Sequence, residues 1–122
     1  MTTSAVVKFD GGTRPDNPGP SAIGYIVETY DWTDEWSGYI GESANNRTEF
    51  RALIQGLELV SEKGCIEVEA RGDSEVIVKQ VRGEYGVNQP ELSPLRKRVQ
   101  ELLTSSRYTT FRKRGSGRQT SW

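Results

Sequence analysis

The 122-residue chain contains no histidine and one cysteine, Cys65. Without histidine there is no imidazole general base, no His-activated nucleophile and no His metal ligand. A single cysteine excludes an internal disulfide and a Cys-based zinc site. Long apolar runs are also missing. No segment approaches the roughly 18 apolar residues of a membrane span. Met1-Thr-Thr-Ser4 leads into a strand-like run without the charged start and apolar stretch of a signal peptide. The expectation is a soluble, cytoplasmic protein with no membrane contact and no obligate protein partner. Any chemistry must rest on carboxylates, Lys/Arg, hydroxyls or Cys65.

The chain is polar, with 34% hydrophobic and 27% charged residues, but three Trp, five Tyr and three Phe can anchor a core. A domain of this length buries roughly two-thirds of its unfolded surface and can fold alone. The net charge of −1 conceals an asymmetry. Through Ser105 there are 11 basic and 17 acidic residues. Beyond it stand five basic residues (Arg107, Arg112, Lys113, Arg114, Arg118) and no acid.

The pattern along the chain predicts β-β-β-α-β-α-α-β. Ala5–Phe9 reads as a buried strand stopped by Asp10-Gly-Gly12, and Arg14–Pro20 as a Pro-rich loop. Ser21–Tyr30 and Trp32–Ile40 form a hairpin around an Asp31-centred turn, with the first strand beside it in a meander. Phe50, Leu53, Ile54, Leu57 and Val60 recur at three- and four-residue steps, so a helix is expected over 47–62, stopped by Lys63-Gly64. A fourth strand over Cys65–Ala70, a short helix over Ser74–Val81, a helix over Pro90–Leu103 and a strand over Arg107–Phe111 complete the order. The fold class is α/β: a mixed five-stranded sheet with helices packed on it. Trp32, Trp36, Tyr25 and Tyr39 are expected to pack on the sheet, Cys65 to be a core residue, and Arg96-Lys97-Arg98 to be a solvated helix face.

Three acids stand at the ends of elements: Asp10 closing the first strand, Glu49 in the first turn of the long helix, and Asp73 between the fourth strand and the next helix. If strands one and four are neighbours, Asp10 and Asp73 emerge at one edge and the helix can lay Glu49 against them. Clustered acids need a cation, and without His or Cys a hard one such as Mg²⁺ or Mn²⁺ fits. Each acid has a plain alternative. Asp10-Gly-Gly is a common turn, Asn46 with Glu49 has the spacing of a capping box, and Asp73 can cap the next helix.

As an ordered set, Phe9-Asp-Gly-Gly12, Asn45-Asn-Arg-Thr-Glu-Phe-Arg-Ala52 and Gly72-Asp-Ser-Glu-Val-Ile-Val-Lys-Gln80 closely resemble the three main motifs of type 1 ribonuclease H. The agreement runs from about Val6 to Phe111. The short stretch between Gln80 and Leu92 leaves no room for a basic protrusion, as in the compact archaeal and bacterial forms. The resemblance implies endonucleolytic cleavage of the RNA strand of an RNA–DNA hybrid with two Mg²⁺ or Mn²⁺ ions. Asp10 would bridge the metals, Glu49 would bind one of them and lie near the RNA 2′-OH, and Asp73 would hold the metal that orients the attacking water. Gly11, Gly12, Asn45, Asn46, Arg47 and Ser74 would contact nucleic acid, the Asn pair in the minor groove where 2′-hydroxyls are displayed. Double-stranded RNA is a further candidate partner.

Two departures stand out. Ala44 occupies a position where family members often carry a hydroxyl that contacts a DNA phosphate. No Asp or Glu follows Glu101, so the family's fourth carboxylate, in a terminal Ala-Asp, has no counterpart. The expected division is a domain over 1–111 and an atypical basic tail over 112–122. That tail is a disordered solvated segment, a phosphate-neutralising arm, or the product of a frame change near Thr110. Gly117-Arg-Gln-Thr-Ser-Trp122 can be encoded so that a shifted frame reads Gln-Ala-Asp-Glu-Leu. With the fourth ligand missing, one metal would bind weakly and cleavage would be impaired. The alternative is a weak or inactive binder of hybrid or duplex RNA.

Overall fold

A computed structural model describes residues 4–65, 67–72, 90–104 and 108–113. The expected short helix over Ser74–Val81, with Asp73 and Ser74, lies outside the described residues, as does the tail from Arg114 onward. The strands are β1 (Ser4–Thr13), β2 (Gly19–Glu28), β3 (Thr33–Ser43), β4 (Glu67–Gly72) and β5 (Tyr108–Lys113). They form one sheet in the order β3-β2-β1-β4-β5. The first three strands are an antiparallel meander, whereas β4 lies parallel to β1 and β5 parallel to β4. The sheet is therefore mixed, as its pattern predicts.

Two helices complete the described fold: α1 (Asn45–Glu62) and α2 (Ser93–Thr104), the latter entered through a 3₁₀ turn over Pro90–Leu92. The apolar stripe of α1 buries Phe50, Leu53, Leu57 and Val60 against Ala5, Val7 and Phe9 of β1 and Ile23 and Val27 of β2. Each large side chain so buried contributes about 1.5–3 kcal/mol, which outweighs the modest helix preference of the segment. From α2, Val99 and Leu102 join the same core with Leu92 of the 3₁₀ turn. Arg98 reaches Glu58 of α1 at 3.1 Å, but both side chains are about half exposed, so the pair adds little. Cys65 is buried in the core, as expected.

α1 stops where Lys63-Gly64 predicts. Gly64 takes φ +78°, a left-handed conformation that favours glycine, and the Cys65 amide donates back to the Val60 carbonyl at 3.0 Å. The β2–β3 hairpin turns on Thr29, whose hydroxyl accepts the Trp32 amide at 3.0 Å. Trp32 packs half-buried against the core with Lys63 over its ring, and Tyr25 stacks on Trp36 at 6.4 Å. Tyr39 departs from expectation: it is 67% exposed, because its place in β3 puts it on the sheet face away from α1.

Two boundaries differ from the sequence pattern in ways that matter for the site. Asp10-Gly-Gly12 does not stop β1. The strand runs on to Thr13 because Gly11, Gly12 and Thr13 stay in ladder with Ile23, Ala22 and Ser21 of β2. The turn-like composition is overridden by a partner strand that satisfies the backbone. Asn46 is not the N-cap of α1. The helix begins at Asn45, its N-cap is Ala44 without a side-chain cap bond, and Glu49 falls past the first turn. No helix among the described residues is long and apolar enough to cross a membrane.

Candidate active site

β1 brings Asp10 to the end of the described part of β4. Phe9 stands opposite Gly72, the last described residue of β4. Asp10 follows Phe9 and is paired on its other side with Gly24 of β2. Asp73 follows Gly72 in sequence and lies outside the described residues. The neighbourhood of β1 and β4 that the two acids require is thus formed up to the residue before each.

Side chains alternate along a strand. Ala5, Val7 and Phe9 point into the core beneath α1, so Asp10 projects from the other face and is exposed. Two open clefts meet at it. One, of about 500 Å³, is lined by Lys8, Gly24, Ile26, Glu35 and Ser37 among others. The second, of about 450 Å³, is lined by Gly11, Gly12, Arg14, Ala22 and Tyr39 among others. Asp10 is the residue these two clefts share.

Glu49 is brought to the same end of β1 by a backbone contact. A Cβ on Gly11 would stand 2.9 Å from the carbonyl carbon, the carbonyl oxygen and Cγ2 of Thr48. Only a residue without a side chain lets the Thr48–Glu49 peptide sit against the strand. The two glycines thus differ. Gly11 is required by internal packing, whereas nothing lies within 4 Å of a Cβ at Gly12, which faces open space. Glu49 is half-buried and its Oε2 atom is fully covered.

Hydroxyls hold this junction together. Thr13 Oγ1 lies 2.7 Å from Ser21 Oγ and 3.4 Å from Thr48 Oγ1. Ser21 also donates to the Ser43 carbonyl at 3.2 Å, and Thr48 donates to the Ala44 carbonyl at 2.9 Å. Ser21, Ser43 and Thr48 are buried, so each hydroxyl must find a partner inside the protein. The bulge at Ser21/Ala22, opposite Gly41 with φ +92°, turns the end of β3 toward this cluster. The sequence motifs do not reveal the cluster, because its members are up to 35 residues apart.

Asn45 and Asn46 open α1 and are half-buried, while Arg47 is exposed. The Asn45 amide donates to Oδ1 of Asn17 in the β1–β2 loop at 3.0 Å. Arg47 and Arg51 line a smaller cleft of about 270 Å³ with Glu42, Ser43 and Glu91. The motifs overlooked Asn17. Its signal was Ala44, which cannot cap the helix that follows it.

The carboxylates described here offer oxygen donors alone, since Cys65 sits at the opposite end of β4 from Gly72. Among the described residues no group of three or more His, Cys, Asp or Glu stands together. Carboxylate oxygens such as those of Asp10 and Glu49 suit a hard divalent cation and no soft one.

The family model described as reverse transcriptase-like matches this α/β domain over residues 8–114. Ribonuclease HI of Halobacterium salinarum is 41% identical over 98 residues, covering 79% of this chain and 49% of the relative. The crystal structure of RNase H1 from that archaeon superposes with a TM-score of 0.85 at 34% identity, covering 93% of this chain and 87% of the other. The N-terminal RNase H domain of a Mycobacterium tuberculosis protein superposes at 0.84 with 33% identity, covering 90% and 85%. LC11-RNase H1, solved in complex with RNA/DNA hybrid, superposes at 0.82 with 34% identity, covering 93% and 86%. The chain belongs to the type 1 ribonuclease H family of hydrolases. It spans half or less of the length of the curated relatives it matches first.

Proposed function

We propose that this chain hydrolyses the RNA strand of RNA–DNA hybrids, with Asp10, Glu49 and Asp73 as its carboxylates. The observation that carries the reading is the register of β1 on β4. It sets Asp10 one residue beyond the Phe9–Gly72 pair, while Gly11 admits the Thr48–Glu49 peptide against the same strand. Two divalent cations, Mg²⁺ or Mn²⁺, would supply the polarisation of water and the neutralisation of the leaving oxygen. Asp10 and Glu49 would hold them, with Asp73 as the third ligand.

The protein's own contribution is placement. The ladder to β2 fixes the backbone on both flanks of Asp10 and so keeps that residue at the shared rim of the two clefts. Asn45 and Asn46 would meet the hybrid's minor groove from the start of α1, with Arg47 and Ser74 as neighbouring contacts. Gly12, open to solvent, would let the backbone approach the RNA strand. Because no acid follows Glu101, the rate should fall below that of a relative with four carboxylates, one cation being held weakly.

The test is cleavage of an end-labelled RNA–DNA hybrid by the purified chain in Mg²⁺ and in Mn²⁺, with duplex RNA and duplex DNA alongside. Cleavage confined to the RNA strand of the hybrid, abolished by chelation and by Asp10→Asn, is the expected result. Hybrid binding without cleavage in either metal would replace hydrolysis by binding alone. Absence of both would end the reading.

A further inference from the structure

Helix α1 begins without a cap of its own. Its N-cap residue, Ala44, has extended backbone angles (φ −89°, ψ 154°) and no side-chain oxygen to take an amide of the first turn. The first four amides of a helix have no acceptor within it. One of them is met from far away: the Asn45 amide donates to Oδ1 of Asn17, 28 residues earlier, at 3.0 Å. The loop that presents Asn17 is itself closed, with the Arg14 amide on the Pro20 carbonyl at 2.9 Å. It is also folded tightly, since a Cβ on Gly19 would meet the Asp16 carbonyl oxygen at 2.5 Å. The carboxamide is thus delivered by a defined loop.

We infer that Asn17 is a positioning residue: it caps α1 from the β1–β2 loop and thereby sets where Asn45 and Asn46 stand. A local cap such as Ser at position 44 would hold the first turn regardless of the loop. Here the helix start and the loop are joined, so the Asn pair is placed by a contact outside its own helix. The inference rests on the reading of Asn45 and Asn46 as substrate contacts. The consequence falls on hybrid affinity, since Asp10 and Glu49 are held separately by the β2 ladder and the Gly11–Thr48 contact.

The test has two arms. In the first, amide hydrogen exchange by NMR is measured on the free protein. The Asn45 amide should be protected, should exchange faster in Asn17→Ala, and should stay protected in Asn17→Asp, which keeps the acceptor. In the second, hybrid cleavage is measured against substrate concentration. Loss of a cap costs about 1 kcal/mol of helix stability; repaid wholly on binding, it raises KM by up to about five-fold, with kcat within about two-fold. The double variant Asn17→Ala/Ala44→Ser, which supplies a local cap, should recover most of that rise beyond any gain that Ala44→Ser alone brings to the parent through a phosphate contact. An Asn45 amide that exchanges equally in parent and Asn17→Ala overturns the cap. A KM rise that Ala44→Ser leaves untouched also overturns the inference, by making Asn17 a direct substrate contact. If the parent neither binds nor cleaves hybrid, the functional reading fails while the exchange arm still decides the cap.

Discussion

Gly11→Ala is a direct probe of how this fold seats α1 on β1. Gly11 has no positive φ, so its backbone accepts alanine without strain and the effect is steric. The added Cβ would lie 2.9 Å from three atoms of Thr48, against an ordinary carbon contact of about 3.5–4.0 Å. The start of α1 must therefore retreat from β1 by about 0.6–1.1 Å. Thr48 is fully buried and bonded to Ala44, so its side chain has nowhere to swing. Overpacking of this kind costs about 1–3 kcal/mol. The reduced entropy of the unfolded chain on Gly→Ala returns about 0.4–1 kcal/mol. A net loss of about 1–2 kcal/mol is expected in urea denaturation. Activity should suffer more than stability, because a displacement near 1 Å at a reacting group costs on the order of 100-fold. Thr48→Ser in the Gly11→Ala background removes Cγ2 but leaves the carbonyl contacts, so it should restore only part of the loss. A Gly11→Ala protein with the parent's urea midpoint and cleavage rate would refute the claim that this contact sets where α1 meets β1.

Two further outcomes follow from packing and burial. Gly72→Ala would drive a Cβ into the ring of Phe9, which is 1% exposed and cannot leave, so destabilisation toward the upper end of about 1–3 kcal/mol is expected in the same denaturation assay. An unchanged midpoint would contradict the β1–β4 packing. Burial pushes the Cys65 thiol above its ordinary pKa, with the charge of Asp31 adding to the effect. Iodoacetamide at pH 8 should thus label the native protein far more slowly than the urea-unfolded chain. The folded state holds that proton to higher pH than the unfolded state. Stability is therefore intact below the unfolded thiol's pKa, about 8.5, and declines as pH rises through it toward the folded value. Equal labelling rates in the two states would sink the assignment of Cys65 to the core.

Much of the architecture was legible because burial imposes a period. The three- and four-residue recurrence of Phe50, Leu53, Leu57 and Val60 reports the face of α1 that meets the sheet. Lys63-Gly64 marks its end because the left-handed residue there has to be nearly free of steric cost. The errors share one cause. Asp10-Gly-Gly12 has the composition of a turn, yet β2 pairs with it through Thr13. Asn46 and Glu49 have the spacing of a capping box, yet the helix starts two residues earlier than that box requires, at Asn45. Local preferences of a fraction of a kcal/mol up to about 1 kcal/mol lose to a ladder or a packed face worth several.

By itself, then, the sequence determined the chemistry open to this protein. Lacking histidine and holding one cysteine, it has mainly oxygen donors to offer, and its motifs single out the acids proposed for the site. The periods of its apolar residues determined the order of strands and helices around one core. The tertiary structure alone decided how the elements that carry these motifs meet. The register of β1 on β4, the missing Cβ of Gly11 under Thr48, the shared hydroxyls of Thr13, Ser21 and Thr48, and the reach of Asn17 to Asn45 all join residues distant in the chain. Such contacts leave no local pattern, because each depends on where two separately specified elements meet.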